Sequence, residues 1–361
     1  MFKFIAVITL LIVSSCNYQK NAEGVTNRIV VFSEPILWDI LKDTLHQTIG
    51  APWDLPAREQ KYRLVHKKLI DFNRFKTQKN LLFIVSDDQK NSLNKLSDKI
   101  IPASFKPLIQ NETYNFFLIK NLYAKNQLVF IIHLKQSKNA APLFGKQFAE
   151  LETFPTFEKL IEERLLNELF RYQEDDKAHQ MMVETHGYSI RTPYRFHLID
   201  NNVDRDSNLV SIFQRYPIQW AITKKIYDVD EGNISATFLM DKRDQLMNTS
   251  FEGDRVDRDN LLTSDIEIDG LKGIRIQGSY IHYDGDDPIA GGPFISYGLY
   301  DYEEKCLYLL DAQVFDLGKP KSVNLMKMET ILKTFKRVKR MDLSKLNTRL
   351  HSHLLQDQVL L

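Results

Sequence analysis

From Arg28 onward, short apolar runs of strand length alternate with longer stretches whose apolar residues recur every three or four positions. A chain patterned this way must lay helices on sheets to bury both kinds of apolar surface. Arg28 to Phe32 (RIVVF) is expected as a strand, and Ser33-Glu34-Pro35 as a helix start with Ser33 at the N-cap. Ile36, Leu37, Ile40, Leu41, Leu45 and Ile49 share one face of that helix, and Gly50 ends it. Asn80 to Ser86 reads as a buried strand, residues 115–123 and 127–135 as a hairpin, and Thr156 to Phe170 as a long amphipathic helix entered through Pro155. A polar run at 171–177 follows, which places the boundary between two halves near residue 175.

The second half predicts a strand start at 189–199 broken by Pro193, and further strands at 218–228, 273–282, 293–301 and 306–315. A polar helix is expected around Asp241 to Leu262, and an amphipathic helix at Val323 to Phe335 closes the half. The fold class is therefore α+β: two α/β halves, with antiparallel sheets covered by helices. The partition is residues 28–175 for the first half, 176–336 for the second, and 337–361 for a C-terminal helical tail.

Ahead of these halves the chain has a different character. Lys3 lies just before a continuous apolar run from Phe4 to Val13, and Val13-Ser14-Ser15-Cys16 forms a box of small residues ending in cysteine. This is the pattern of a secretory signal peptide in its lipoprotein form, spanning residues 1–15. The apolar run is about half the ~20 residues that a bilayer-spanning helix needs. Cys16 is the residue expected to carry lipid, because its thiolate is the nucleophile that accepts a diacylglyceryl group. Two or more acyl chains hold a protein on a membrane where one does not. Residues 16–27 are polar and read as a tether. Resemblance to enterobacterial lipoproteins implies that an inner-membrane retention signal would carry aspartate where Asn17 stands, and no acidic run resembling a surface-export tag follows, so the expected address is the outer membrane, facing the periplasm.

Charge narrows the range of partners. The 48 lysines and arginines nearly balance the 47 aspartates and glutamates, so no global field favours nucleic acid. With Cys16 lipidated, Cys306 has no cysteine partner in the chain, and a structural disulfide is not expected. The expected partners are the membrane, through the N-terminal lipid, and an envelope protein or glycan.

The stretch Gly291-Gly292-Pro293-Phe294-Ile295-Ser296-Tyr297, then Asp301, Leu307 to Asp311 and Met328 to Lys336, resembles the lipoprotein family catalogued as domain of unknown function 4837. The resemblance is best from about 186 to 336 and extends over 28–175. The 53–59 region and the tail after Lys336 depart from it. It implies a lipid-anchored protein and brings no assigned activity. A looser likeness, through Gly187-Tyr188-Ser189-Ile190 and Ile331 to Phe335, makes the second half similar to PsbP-like sandwich domains, which speaks to fold alone.

No catalytic, cofactor or metal constellation is expected from the sequence. Asp284, Asp286 and Asp287 lack the spacing of a calcium loop and read as a solvated turn. His186, His197 and His282 stand singly, and neither a nucleophile elbow nor a phosphate-binding glycine pattern occurs. Trp38, Trp53 and Trp220 are expected mainly in the core, with lining of a pocket for an apolar ligand or glycan as the alternative. Gly291, Gly292, Pro293 and Phe294 are the candidate functional loop, since paired glycines admit positive φ or a ligand close to bare backbone, and equally suit a bulge entering a strand. The expected role is a non-enzymatic binding or assembly factor in the envelope. The alternative is a periplasmic hydrolase whose site is assembled from residues distant in sequence.

Overall fold

The computed structural model describes residues 19–338 apart from 52, 54–58, 90, 102, 106, 108–115, 138–139, 142–152, 173, 201–208, 251–253 and 285. The stretch expected as a signal peptide, Cys16 and the residues beyond Val338 lie outside the described residues. The chain divides into two compact units, one of residues 1–53 and 60–164, the other of 54–59 and 165–361.

Unit 1 is built on a five-stranded sheet in the order β2-β1-β3-β5-β4. Its strands are β1 (Arg28–Ser33), β2 (Arg63–Lys67), β3 (Asn80–Ser86), β4 (Phe116–Lys120) and β5 (Leu128–Leu134). The helices are α1 (Pro35–Gln47), α2 (Phe72–Phe75), α3 (Ser92–Ile100) and α4 (Thr153–Leu169), the last running on into unit 2. The antiparallel sheet expected here is corrected. β2, β1, β3 and β5 run parallel, and only β4 is antiparallel, in the hairpin with β5. The cause is burial on both faces: every residue of β3 and β5 is buried, and such strands carry unbroken apolar runs joined by helical crossovers. Val30, Phe32, Leu81, Phe83, Val129 and Ile131 pack with Leu93 of α3 in one core cluster.

The segment expected as a loose tether is also corrected from Gln19 onward. Lys125 N–H donates to the Lys20 carbonyl at 2.9 Å, and Ala22 N–H to the Lys125 carbonyl at 2.8 Å. Glu23 donates to Thr77 and accepts from Lys79, both at 2.8 Å. These are backbone bonds, which need no apolar periodicity and so leave no trace in the side-chain pattern. Thr26 is buried, and its carbonyl accepts from Asn80 Nδ2 at 2.8 Å. Arg164 of α4 donates to Asn80 Oδ1 at 2.8 Å and to the Lys79 carbonyl at 2.9 Å, fixing the start of β3.

Unit 2 carries an antiparallel seven-stranded sheet in the order β10-β11-β12-β13-β9-β8-β7. The strands are β7 (His197–Asp200), β8 (Leu209–Gln214), β9 (Ile218–Tyr227), β10 (Asp254–Ile268), β11 (Leu271–Asp284), β12 (Asp287–Asp301) and β13 (Cys306–Phe315). β6 (Tyr188–Ser189) pairs separately with β14 (Lys336–Arg337). Three helices complete it: α5 (Asp176–His186), α6 (Ala236–Ser250) and α7 (Ser322–Leu332). Leu239, Met240, Leu246 and Met247 of α6 pack with Ile222, Phe294, Leu307 and Leu309 of the sheet. α7 packs chiefly on β13 and β9, and the Glu59 carboxylate accepts from Lys321 and Ser322 N–H at 2.7 Å each, capping its N-terminus. The polar helix expected at 241–262 is displaced: α6 ends at Ser250, and 254–262 belongs to β10.

Candidate functional site

A cleft among the described residues lies in unit 1, at the carboxyl ends of β1 and β2. Its volume is about 370 Å³, and Trp38, Asp39, His66, Lys67, Lys68 and Asp71 line it. Parallel sheets bind ligands at this edge because their crossovers leave a crevice beyond the strand ends. Here β1 turns directly into α1, which delivers Trp38 and Asp39, while β2 delivers His66 and Lys67. The Trp38 and His66 rings stack at 4.5 Å with 3° between planes, and His46 meets Trp38 edge-on at 6.1 Å. Ser33, expected as the N-cap of α1, is the buried last residue of β1, and Glu34 takes the cap position without a side-chain bond.

Ser33 Oγ lies 3.1 Å from His66 Nε2, and the same Nε2 lies 3.2 Å from the Ser33 carbonyl. A carbonyl can only accept, so that second bond places the proton on Nε2 and leaves this nitrogen unable to take one from the serine. Burial pushes the His66 pKa below its ordinary value, with Lys67 acting the same way against the Ser33 carbonyl and Asp39. The imidazole is therefore neutral near pH 7, and the cleft offers a flat aromatic wall between two carboxylates and two ammonium groups.

At the ends of β3 and β5 a second polar group holds the strand termini together. Buried His133 Nε2 lies 2.7 Å from Asp87 Oδ1, and Ser137 Oγ donates to Asp88 at 2.7 Å. Asp88 also accepts from Ser86. These bonds hold the β3–α3 turn against the end of β5.

The candidate loop in unit 2 is a strand, and this is a correction. Gly291, Gly292, Pro293 and Phe294 lie within β12, opposite Ile281, Tyr280, Ser279 and Gly278 of β11. Neither glycine has positive φ. Side chains are excluded there by neighbours: a Cβ on Gly291 would come 2.6 Å from the Tyr280 carbonyl oxygen, and one on Gly292 would come 2.2 Å from that of Val314. The alternative of a bulge at the glycines is not met either: residues 290–294 pair with 278–282 in continuous register, and the β11–β12 shift falls just before them, between His282 and Tyr283. The acidic cluster closes this hairpin, with Asp284 opposite Asp287.

Phe294 leads to a buried network that the sequence did not reveal. The Arg243 guanidinium of α6 lies 4.1 Å over its ring. Arg243 Nε donates to Asp311 Oδ1 at 2.8 Å and Nη2 to Gln313 Oε1 at 2.8 Å, and both members of the ion pair are fully buried. Ser296 donates to the same Asp311 oxygen. Gln313 Nε2 donates to Asp254 at 3.1 Å, and Asp254 meets the part-exposed His282 Nδ1 at 2.7 Å. The available signal was Asp311 itself, a carboxylate inside the apolar run LYLLDAQVF, which demanded a buried cation.

Asp301, Glu304 and Cys306 come close enough to suggest a metal site. Their chemistry does not fit one. Arg337 Nη1 pairs with Asp301 at 2.6 Å, Lys225 pairs with Glu304, and burial pushes the Cys306 thiol up to about 11.

No curated protein matches the sequence. Among solved structures, a mutant of the protein Mog1 is 8% identical over 43% of this chain and 93% of its own, with a TM-score of 0.30. The Ran-binding protein Mog1p of Saccharomyces cerevisiae is 9% identical over 42% and 90%, with a TM-score of 0.30. LpqN of Mycobacterium tuberculosis, described as involved in cell envelope biogenesis, is 12% identical over 42% and 83%, with a TM-score of 0.26. At these scores none of the three bears on the role of this chain. Residues 175–334, which hold the seven-stranded sheet, α6 and α7, match the family model described as Domain of unknown function (DUF4837).

Proposed function

We propose that the protein is a non-enzymatic binding factor of the bacterial envelope, anchored through lipid on Cys16 to the periplasmic side of the outer membrane, and that unit 1 takes a glycan in its cleft. The observation that carries the binding reading is the stacked Trp38–His66 pair set among Asp39, Asp71, Lys67 and Lys68. An indole offers apolar area to a sugar ring, and flanking charged groups supply hydrogen bonds to its hydroxyls. The anchor rests on the Cys16 box, and no described helix is long and apolar enough to cross a membrane.

Hydrolysis is the competing reading, and the approach of Ser33 to His66 is its support. The serine is 6% exposed and the facing nitrogen carries a proton, so the pair lacks both access and a base.

Titration of the protein with soluble peptidoglycan fragments, followed by tryptophan fluorescence, tests the cleft. A saturable change lost in Trp38→Ala is expected. A flat titration rejects the glycan, and fragment cleavage would reinstate the hydrolase. Fatty-acid labelling in cells tests the anchor, since Cys16→Ser should lose the label and accumulate precursor.

A further inference from the structure

We propose that the edge of unit 1 bearing Lys20, Lys76 and Lys125 lies against the lipid surface, with the Trp38 cleft turned away from it. The inference rests on the lipid anchor proposed above and adds an orientation to it. Gln19 Nε2 donates to the Asn121 carbonyl at 2.9 Å, and from Lys20 to Glu23 the chain is held by backbone bonds to residues 77, 79 and 125. The body is thus gripped three residues after Cys16. An extended chain covers at most about 3.3–3.6 Å per residue, so the grip lies within ~11 Å of the lipidated residue.

All of these bonds fall at one edge of the sheet. Residues 76–79 lead into β3, and the turn at 121–127 leads into β5, so both mark the amino ends of the parallel strands. The cleft occupies the carboxyl ends of β1 and β2. Seven residues of β3 separate the two edges, about 23 Å at ~3.3 Å per residue. A tether that short cannot carry the cleft to the membrane while the Gln19–Glu23 grip holds. Lysines occur at both edges, so tether length rather than charge sets the orientation. Lys20 and Lys125 are exposed and available to lipid phosphates.

The test uses the full mature chain from Cys16 to Leu361, coupled through the Cys16 thiol to maleimide lipid in vesicles of phosphatidylethanolamine and phosphatidylglycerol. Cys306 is 0% exposed and does not compete for the maleimide. Lysine acetylation is then compared by mass spectrometry between coupled and free protein. Several-fold protection of Lys20 and Lys125 is expected, with Lys68 at the cleft unchanged. A flexible Gly/Ser spacer inserted between Asn17 and Tyr18 should abolish the protection. Equal protection of Lys68, no protection anywhere, or protection that survives the spacer would each overturn the proposal. The mass of protein extracted from native membranes separately reports lipid on Cys16. Its absence would reject the anchor, while the synthetic coupling still decides which edge a tether of this length presents.

Discussion

Replacing Arg243 with methionine keeps most of the side-chain length on α6 and removes the charge. The substitution eliminates the 2.8 Å bonds to Asp311 and Gln313 and the stack on Phe294. Asp311, fully buried, keeps Ser296 as a donor and has no counter-charge. Breaking a buried pair on one side costs roughly 3–5 kcal/mol, because the remaining charge is left in a medium that solvates it poorly. At ~2–4 °C per kcal/mol for a domain of about 200 residues, the melting transition of unit 2 should fall by about 6–20 °C. Asp311→Asn should cost a comparable amount, because it leaves the fully buried Arg243 guanidinium without its counter-charge. The double variant Arg243→Met/Asp311→Leu should recover at least ~2 kcal/mol relative to the sum of Arg243→Met and Asp311→Leu, because apolar replacement of both members of a buried pair is often close to neutral. Urea unfolding gives the free energies, and hydrogen exchange of peptide 306–315 isolates unit 2 from unit 1. Singles that cost under ~1 kcal/mol, or a double equal to their sum, would refute the claim that these two charges depend on each other.

Gly292→Ala should destabilise unit 2 by about 1–3 kcal/mol by the cost of overpacking, since its Cβ would meet the Val314 carbonyl oxygen at 2.2 Å, with the effect read as a lower urea midpoint. A chain starting at residue 25 should be less stable in unit 1 than one starting at residue 19 by about 1–3 kcal/mol, because it lacks the backbone bonds to residues 77, 79 and 125, and urea unfolding of the two chains measures it. His66 has a folded pKa below its ordinary value of 6.5, so the unfolded chain binds the proton more tightly, and stability falls as pH drops below about 6.5 until the folded pKa is passed. His66→Gln should flatten that part of the stability profile, as measured by thermal melts across the window.

The strands that could be read from the sequence were those whose side chains face packed layers on one or both sides. The runs that became β1, β3, β5, β9 and β13 are largely buried, and their apolar sequences reflect it. Parallel pairing in unit 1 was also encoded, because RIVVF and NLLFIVS are unbroken apolar runs rather than alternating ones. Strands at sheet edges were harder to see. β10 is the outer strand of the seven, so DRVDRDNLLTSDIEI exposes most of its charged residues and looks like a solvated helix face. Charge on an edge strand suppresses unwanted pairing, which is why the misleading composition is physically apt. β2 is short and also at an edge. α5 buries only Ala178, Met182 and His186, one residue per turn, too sparse a stripe to separate it from a linker. For the candidate site, Trp38 was visible as a residue of the first helix, but its partner His66 lies on the unrecognised β2.

The Gly291-Gly292-Pro293 run shows how one local signal supports two architectures. Glycines before a proline usually punctuate a turn, and Pro293 argues against a central strand because it cannot donate to a ladder. β12 is central in the sheet, yet its pairing with β13 begins only at Phe294, opposite Gln313. Residues 291–293 therefore extend past the last β13 pair while still opposing β11, an edge position in which a missing N–H costs little. The glycines are required by the close backbone of Tyr280 and Val314, and Phe294 is the first residue with strands paired on both sides. It is also the ring beneath Arg243. The run thus marks the point where β12 enters the full sheet and begins to cover the buried ion pair, so its sequence constraint is explained by packing in unit 2.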